Sequence, residues 1–138
     1  MGLSSGASGT DTISGVEGIG GSAFNDSLTG DANNNDIWGG DGNDTIDGGS
    51  GNDWLTGSAG SDSIIGGAGD DWADFHDGSV TSGISVTLVA GAATVVTVGG
   101  GTDTLSGIEG INGTDFNDSL TGDAFDNRLS KRGLTFTG

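Results

Sequence analysis

Residues 39–74 form four consecutive nine-residue units, GGDGNDTID, GGSGNDWLT, GSAGSDSII and GGAGDDWAD. Every unit has Gly at its first and fourth positions, Asp at its sixth and an apolar residue at its eighth. A fixed period of this kind is the signature of a repeat architecture, in which each unit packs only against its neighbours in a stack. The period therefore constrains the fold more strongly than any single residue does.

The same frame continues upstream of the regular units. Residues 21–29 (GSAFNDSLT) and 30–38 (GDANNNDIW) keep its phase, although Asn35 replaces Asp at the sixth position of the second unit. A longer repeat is superimposed on the short one, because residues 9–32 recur at 101–124 with 19 of 24 positions identical. The chain thus begins and ends on related sequence.

The whole chain, residues 1–138, is interpreted as a single module. Its predicted parts are irregular first turns (6–20), nonapeptide repeats (21–74), a β-strand insert (75–100), a second copy of the long repeat (101–130) and a tail (131–138). In the insert, alternating apolar residues predict two strands over 83–98 that are longer than those of the repeats. One strand has Ile84, Val86 and Leu88 on one face, and the other has Ala92, Thr94, Val96 and Val98.

The composition indicates that apolar burial alone cannot stabilise the fold. The chain has 31 Gly and is 31% hydrophobic, and Gly loses the most conformational entropy on folding. Its formal charge of −17 disfavours nucleic acid and insertion into an anionic membrane, and favours cations. Without Cys, the available metal ligands are carboxylate and carbonyl oxygens. Such a composition is also compatible with disorder, but the strict period favours a folded chain.

Each unit combines a turn with a short strand. Gly at the first, second and fourth positions lets the backbone turn tightly and direct successive carbonyl oxygens at one point, while the eighth residue of the strand points inward. Two units form one 18-residue coil, so stacking aligns the sixth-position residues in two columns, namely Asp26, Asp44 and Asp62, and Asn35, Asp53 and Asp71. Carboxylates at strand spacing repel unless a cation separates them, and Ca²⁺ accepts six or more oxygens in a loose geometry.

The units resemble the glycine-rich nonapeptides of RTX proteins, which are exported bacterial proteins whose repeats form a calcium-bound parallel β-roll. The resemblance implies an all-β fold, a right-handed parallel β-roll or β-solenoid with two repeats per coil. It also implies about four bound Ca²⁺ ions, type I secretion, and a secreted, extracellular or cell-surface location. Ion binding and folding are then expected to be a single event.

The resemblance implies a ligand set between successive coils. One loop supplies the carbonyl groups of its second and fourth positions and its Asp, and the next coil supplies the carbonyl groups of its first and third positions and its Asp. The two sets that fit best are Gly40, Gly42, Asp44, Gly57, Ala59 and Asp62, and Gly49, Gly51, Asp53, Gly66, Ala68 and Asp71. Two upstream sets are also implied. The first lacks Gly at the second and fourth positions of its turn: Ser22, Phe24, Asp26, Gly39, Asp41 and Asp44. The second is expected to bind more weakly because Asn35 gives a neutral oxygen: Asp31, Asn33, Asn35, Gly48, Ser50 and Asp53.

Several residues outside the loops have two interpretations each. Trp38, Trp54 and Trp72 are predicted on one outer face, where they either bind a polysaccharide or another protein or are covered by the insert. Glu17 and Glu109, equivalent in the long repeat, are either further cation ligands or solvated turn residues.

His76, the single histidine, is predicted to lie on the surface, because no nucleophile or carboxylate arrangement accompanies it.

The preferred function is a non-catalytic, calcium-binding and calcium-dependent folding module of a larger secreted RTX protein, structural and secretion-assisting. The alternatives are a carbohydrate-binding accessory module of an extracellular polysaccharide-modifying enzyme, or an adhesin segment. A flat Thr array would be expected for an ice-binding adhesin, and the columns of this sequence do not show one.

Overall fold

The computed structural model describes residues 9–12, 15–89, 94–98 and 101–130, in which all regular secondary structure is β-strand. The strands are β1 (Gly9–Thr12), β2 (Gly18–Gly20), β3 (Asp26–Thr29), β4 (Asp36–Asp41), β5 (Thr45–Ser50), β6 (Trp54–Ala59), β7 (Ser63–Ala68), β8 (Trp72–Asp74), β9 (Ser85–Thr87), β10 (Thr94–Val98), β11 (Gly101–Ser106), β12 (Gly110–Asn112), β13 (Ser119–Thr121) and β14 (Arg128–Ser130). Within these ranges no helix is long and apolar enough to cross a membrane.

Twelve of the strands stack into two six-stranded sheets that face each other across a thin core, and β9 and β13 form a separate two-stranded sheet. One sheet has the order β1-β3-β5-β7-β11-β10, and the other has the order β2-β4-β6-β8-β12-β14. Successive strands alternate between the sheets, so the chain winds as a solenoid of about six turns. Ile46 lies beside Ile64, and Ile37 beside Leu55, which is the 18-residue register of two repeats per coil. The predicted β-roll architecture is confirmed.

The eighth-position residues of the six units over 21–74 lie in the core, as the repeat predicts. All are at least 97% buried: Leu28, Ile37, Ile46, Leu55, Ile64 and Ala73. Strands β4 to β7 have six residues each, twice the predicted three, because each continues into the first three positions of the next unit. Gly40 pairs with Ser58, and Asp41 with Ala59, so only the fourth to sixth positions are left to turn.

The insert forms shorter strands than the sequence suggests. Strand β9 has three residues and β10 has five, whereas the longer strands were expected over 83–98. Strand β9 is short because its parallel partner β13 has three residues, and because the carboxylate of Asp118 accepts the N–H of Ile84 at 3.0 Å in place of a ladder bond. The predicted inward faces are confirmed at Ile84, Val86, Leu88, Thr94 and Val96, while Ala92 and the side chain of Val98 lie outside the described residues.

The chain rejoins the stack after the insert. Leu105 in β11 lies beside Ile64, and Ile111 in β12 lies beside Ala73, so the paired residues are 41 and 38 positions apart rather than the 18 of the regular coils. Strand β10 pairs antiparallel with β11, and β9 pairs with β13. The insert therefore adds β10 to the edge of one sheet and contributes β9 to a separate two-stranded sheet with β13, while the other sheet continues directly from β12 to β14.

The first turn is irregular. Strand β1 pairs with β3 so that Asp11 lies beside Leu28, 17 residues away instead of the 18 of the regular coils. In the next strand the regular register is restored, since Ile19 lies beside Ile37. Ile13 and the tail 131–138 lie outside the described residues.

Candidate metal centre

Each sixth-position carboxylate is held by the coil that precedes it. The backbone N–H of Asp26 donates to Oδ1 of Asp44, and the N–H of Asp44 donates to Oδ1 of Asp62, both at 2.8 Å. The second column repeats the pattern, because the N–H of Asp53 donates to Oδ1 of Asp71 at 2.9 Å. In the four regular units, Oδ1 of each carboxylate is thereby fixed, and this also fixes the direction in which Oδ2 points.

The second oxygen of these carboxylates is buried without a hydrogen-bond partner among the described residues. This holds for Oδ2 of four residues: Asp44, Asp53, Asp62 and Asp71. Each residue is at most 2% exposed. A buried polar atom without a partner costs about 1–3 kcal/mol, and more if it is charged. A divalent cation relieves this cost, so the donor set fits Ca²⁺, which prefers carboxylate and carbonyl oxygens.

The first-position glycines make room for these oxygens. A Cβ at Gly39 would overlap Oδ2 of Asp44 and would lie 2.8 Å from the carbonyl oxygen of Gly57. Beside Gly48, Oδ2 of Asp53 and the carbonyl oxygen of Gly66 converge in the same way, the latter 2.7 Å from the Cβ position. In both cases two oxygens of one predicted ligand set come together from successive coils.

The second- and fourth-position glycines adopt a backbone conformation that the turn requires. Gly40, Gly42, Gly49 and Gly51 have φ values of 104°, 120°, 98° and 111°, in the left-handed region that favours Gly. The third-position carbonyl of Ala59 accepts the N–H of Gly42 at 2.9 Å. A carbonyl oxygen has two lone pairs, so this bond leaves one available for a metal ion.

The environment of the columns disfavours ionised carboxylates in the absence of a cation. Burial, together with the neighbouring charges of Asp62, Asp26 and Asp41, raises the pKa of Asp44 from 3.8 to about 6. Burial likewise raises the pKa of Asp71 to about 6, with Asp53, Glu109 and Asp70 adding to the shift. A counter-charge beside these oxygens would therefore stabilise the ionised carboxylates.

Comparison with known families identifies these loops. The sequence model of one protein family, the RTX calcium-binding nonapeptide repeat, matches the chain in four copies, over residues 20–55, 47–81 and 112–130. The chain belongs to this family. Its RTX repeats make it a calcium-binding structural module, of a kind typical of secreted bacterial proteins. Among curated proteins, none matches the chain.

The upstream RTX loops bring the predicted oxygens together but hold them differently. Beside Gly21, Oδ2 of Asp26 and the carbonyl oxygen of Gly39 converge, yet that Oδ2 accepts hydrogen bonds from the N–H and hydroxyl of Ser22 at 2.7 and 2.8 Å. In the next unit, Oδ1 of Asn35 accepts the N–H of Asp31 at 2.9 Å. In both loops the second-position residue therefore donates a hydrogen bond to the sixth-position side-chain oxygen, through its backbone N–H and, in Ser22, also through its hydroxyl.

The same arrangement recurs in the second copy of the long repeat. The hydroxyl of Thr114 donates to Oδ1 of Asp118 at 2.6 Å, and the N–H of Asp123 donates to Oδ1 of Asn127 at 2.6 Å. We call the four loops 21–26, 30–35, 113–118 and 122–127 the self-capped loops. They flank the regular RTX loops on both sides.

Two features of the RTX stack were not predicted. The columns continue into the second copy, where Asp103 accepts the N–H of Asp62 at 2.9 Å and burial raises the pKa of Asp103 to about 7. Fifth-position side chains form an additional ladder, in which Oδ1 of Asn43 accepts the N–H of Ser61 at 2.9 Å. The recurrence of Asn at position five, 18 residues apart, is the sequence signal for this ladder. Within the described ranges no three His or acidic side chains cluster, so the sites depend on carbonyl groups.

The tryptophans lie on one sheet of the RTX roll. The rings of Trp54 and Trp72 stack with centroids 5.4 Å apart and an interplanar angle of 18°. Trp38 is 51% exposed and Trp54 is 37% exposed. The insert reaches this face at Asp77, which forms hydrogen bonds with Ser58 and Trp38. Burial alone would raise the pKa of Asp77, but these bonds and those with Ser79 lower it below its usual value. The insert therefore covers the edge of the face and leaves much of two rings exposed.

His76 is not isolated in the structure. Its Nε2 lies 2.9 Å from Oδ1 of Asp115, and the side chain is 21% exposed. This contact joins the start of the insert to the second copy of the long repeat. The three fourth-position phenylalanines, Phe24, Phe116 and Phe125, are 45–69% exposed at the loop edge.

Proposed function

We propose that this chain is a calcium-dependent folding module of a secreted RTX protein, with a structural and secretion-assisting role rather than a catalytic one. The observation that carries the proposal is the set of four buried carboxylate oxygens without a hydrogen-bond partner in the described structure. These oxygens lie in two columns, at the positions where the RTX pattern requires metal ligands. The whole chain acts as one module in this proposal.

Calcium would be held by oxygens of successive coils. The strongest sites are those built around Asp44 with Asp62 and around Asp53 with Asp71, because both pairs combine an unpartnered Oδ2 with a converging carbonyl oxygen. The two upstream sites, around Asp26 and Asn35, are weaker in this proposal, since hydrogen bonds already satisfy the side-chain oxygens. Metal binding there has to replace those bonds.

The bound ions would make folding depend on calcium outside the cell. Four ions with two positive charges each would bring the formal charge from −17 to about −9 and remove much of the self-repulsion that opposes folding. Ligands from two coils are brought together only in the folded state, so the binding free energy contributes to folding. A chain that stays unfolded at low intracellular calcium would be suited to export in an extended state.

Calorimetry of the whole chain tests this function. Titration with Ca²⁺ should give about four ions per chain with heat from coupled folding, while Mg²⁺ at the same concentration should give little, because it requires stricter octahedral geometry. An Asp53→Asn variant should bind calcium more weakly. Asp36→Asn changes an exposed seventh-position carboxylate and serves as the matched control. The absence of calcium binding by the wild-type chain would overturn the proposal.

The exposed tryptophans favour a second candidate, a polysaccharide-binding face. Trp38 and Trp54 present flat aromatic surfaces on one sheet, as sugar-binding faces do. Titration of the calcium-bound chain with soluble cello-oligosaccharides and with alginate, followed by tryptophan fluorescence, tests it. Binding that is lost in Trp38→Ala but kept in Phe125→Ala, an exposed aromatic residue elsewhere, would support the candidate. No fluorescence change with either glycan would remove it.

A further inference from the structure

We propose that Asp71 and Glu109 form an additional calcium site together with the carbonyl oxygens of Gly107 and Gly67. The site would close the roll at the point where the chain leaves it for the insert. The proposal rests on the proposed calcium-binding function and extends it to a loop without a nonapeptide. In the repeat pattern, Asp71 is the last member of its column and serves a single ion.

Asp71 has an oxygen that the described structure does not satisfy. The residue is 0% exposed, and its Oδ2 has no hydrogen-bond partner among the described residues. Its Oδ1 already accepts the N–H of Asp53 from the coil below. The free oxygen has the same status as Oδ2 of Asp44, whose site the RTX pattern predicts.

Gly107 supplies the carbonyl that the next regular coil would provide. A Cβ at Gly66 would overlap the carbonyl oxygen of Gly107 and would lie 2.7 Å from Oδ2 of Asp71. This repeats the arrangement at Gly39, where Oδ2 of Asp44 and the carbonyl oxygen of Gly57 converge. The carbonyl oxygen of Gly67 lies 3.3 Å from the Cβ position of Gly107.

Glu109 takes the role of the next sixth-position Asp. Its Oε2 accepts the N–H of Asp71 at 3.0 Å, as Oδ1 of Asp71 accepts the N–H of Asp53. A regular loop runs from the first-position Gly to the Asp in six residues, whereas the turn from Gly107 to Glu109 uses three. The longer Glu side chain offsets the shorter turn, so the carboxylate reaches the same backbone position.

The surroundings allow a cation at this point. The nearby guanidinium of Arg128 pairs with Asp70 at 3.1 Å, and this pair is about half exposed. A cavity of about 140 Å³ borders Gly107 and Glu109 and is large enough for several water molecules. Calcium commonly completes its six to eight ligands with water.

An ion here would join residues 38 apart in the sequence, rather than 18 as in the regular coils. It would therefore link the last regular coil to the second copy of the long repeat across the whole insert. Closing a longer loop removes more conformational entropy from the unfolded chain, although this entropy loss grows slowly with loop length. Asp71 would become a ligand shared by two ions.

A Glu109→Gln variant tests the site. Gln keeps an acceptor for the N–H of Asp71 and so preserves the fold contact, while it removes the charge that a calcium ion needs. The matched control is Glu17→Gln, because Glu17 is the equivalent residue of the first copy and no regular loop precedes it. Calorimetry should count one ion fewer in Glu109→Gln than in the wild type, and an unchanged number in Glu17→Gln.

Terbium luminescence gives a second readout. The ring of Trp72 packs against Gly110, next to Glu109, so tryptophan excitation should sensitise Tb³⁺ at this site. The sensitised emission should fall in Glu109→Gln and persist in Glu17→Gln. An unchanged ion count and emission in Glu109→Gln, or an equal loss in both variants, would overturn this site alone. A wild-type chain that binds no calcium would instead overturn the proposed function.

Discussion

The backbone N–H of Asp44 donates a hydrogen bond to Oδ1 of Asp62 at 2.8 Å, while Oδ2 of both carboxylates is buried without a partner in the described structure. One carboxylate thus performs two tasks, since one oxygen positions the preceding coil and the other faces the loop interior. The side chain that aligns the stack is therefore also the one that requires the cation.

Asp44 belongs to two of the predicted ligand sets, so its replacement should affect more than one ion. We expect Asp44→Asn to raise the calcium concentration at the folding midpoint at least 10-fold, or about 1.4 kcal/mol. Asp47→Asn removes the same charge from the same unit at its partly buried ninth position and should shift the midpoint little. Circular dichroism during calcium titration measures both. Equal shifts would show that net charge, rather than ligation, controls folding.

The raised pKa values predict that the metal-free chain is more stable in acid. Burial raises the pKa of Asp44 and Asp71 to about 6 and that of Asp103 to about 7, from 3.8 in the unfolded chain. A raised folded-state pKa contributes stability that is complete below 3.8 and is lost as the pH rises through 6 to 7. Thermal melts of the metal-free protein should therefore show decreasing stability from pH 4 to pH 7.

Calcium should reverse this dependence. Protons and Ca²⁺ compete for the same carboxylates, so calcium affinity should fall as the pH drops from 7 to 5. Calorimetric titrations at pH 5, 6 and 7 measure the trend. Calcium affinity that is independent of pH across this range would contradict the assignment of these carboxylates as ligands.

The glycines of the loops permit coils to approach closely, which a methyl group should prevent. Gly60 has φ 145°, and a Cβ there would overlap the carbonyl oxygen of Gly42 in the preceding coil. We expect Gly60→Ala to destabilise the calcium-bound protein by about 2 kcal/mol or more, by urea unfolding. Gly20→Ala is the control, since nothing lies within 4 Å of its Cβ position. Similar losses in both variants would contradict this explanation.

The sequence predicted the register and the core because both follow from the period. Once two units form a coil, Ile46 and Ile64 must stack and point inward, whatever the loops contain. The point of return after the insert does not follow from the period. Leu105 lies beside Ile64, and β11 pairs with β10 on its other side; the length of chain between Ile64 and Leu105 has no counterpart in the nine-residue period.

The ligand positions could also be deduced only in part. Gly at positions one, two and four indicates a metal-binding turn, but the rotamer that directs Oδ1 of Asp44 to the preceding coil is not encoded in the spacing. The capping of Asp26 by Ser22 depends on a contact between residues four apart. A Ser at position two could equally have been a tolerated variant of Gly.

The self-capped loops should bind calcium more strongly when their caps are removed. The double change Ser22→Gly with Phe24→Gly restores the regular Gly pattern and frees Oδ2 of Asp26 from the Ser22 hydroxyl. We expect at least a 10-fold tighter upstream site, measured by calorimetry. The matched change Thr114→Gly with Phe116→Gly, in the second copy, removes the hydroxyl that donates to Oδ1 of Asp118 and should also tighten calcium binding there. A weaker upstream site in the first variant would contradict the capping explanation.

Far-UV circular dichroism of the whole chain, with and without calcium, tests the central claim most directly. The four unpartnered Oδ2 atoms and the charge of −17 predict a chain that is largely unfolded at neutral pH after metal removal. Addition of millimolar Ca²⁺ should then produce the β-sheet signal in one cooperative transition, and excess chelator should reverse it. The same β signal in excess chelator as in excess calcium would contradict the claim that calcium ions hold the coils together.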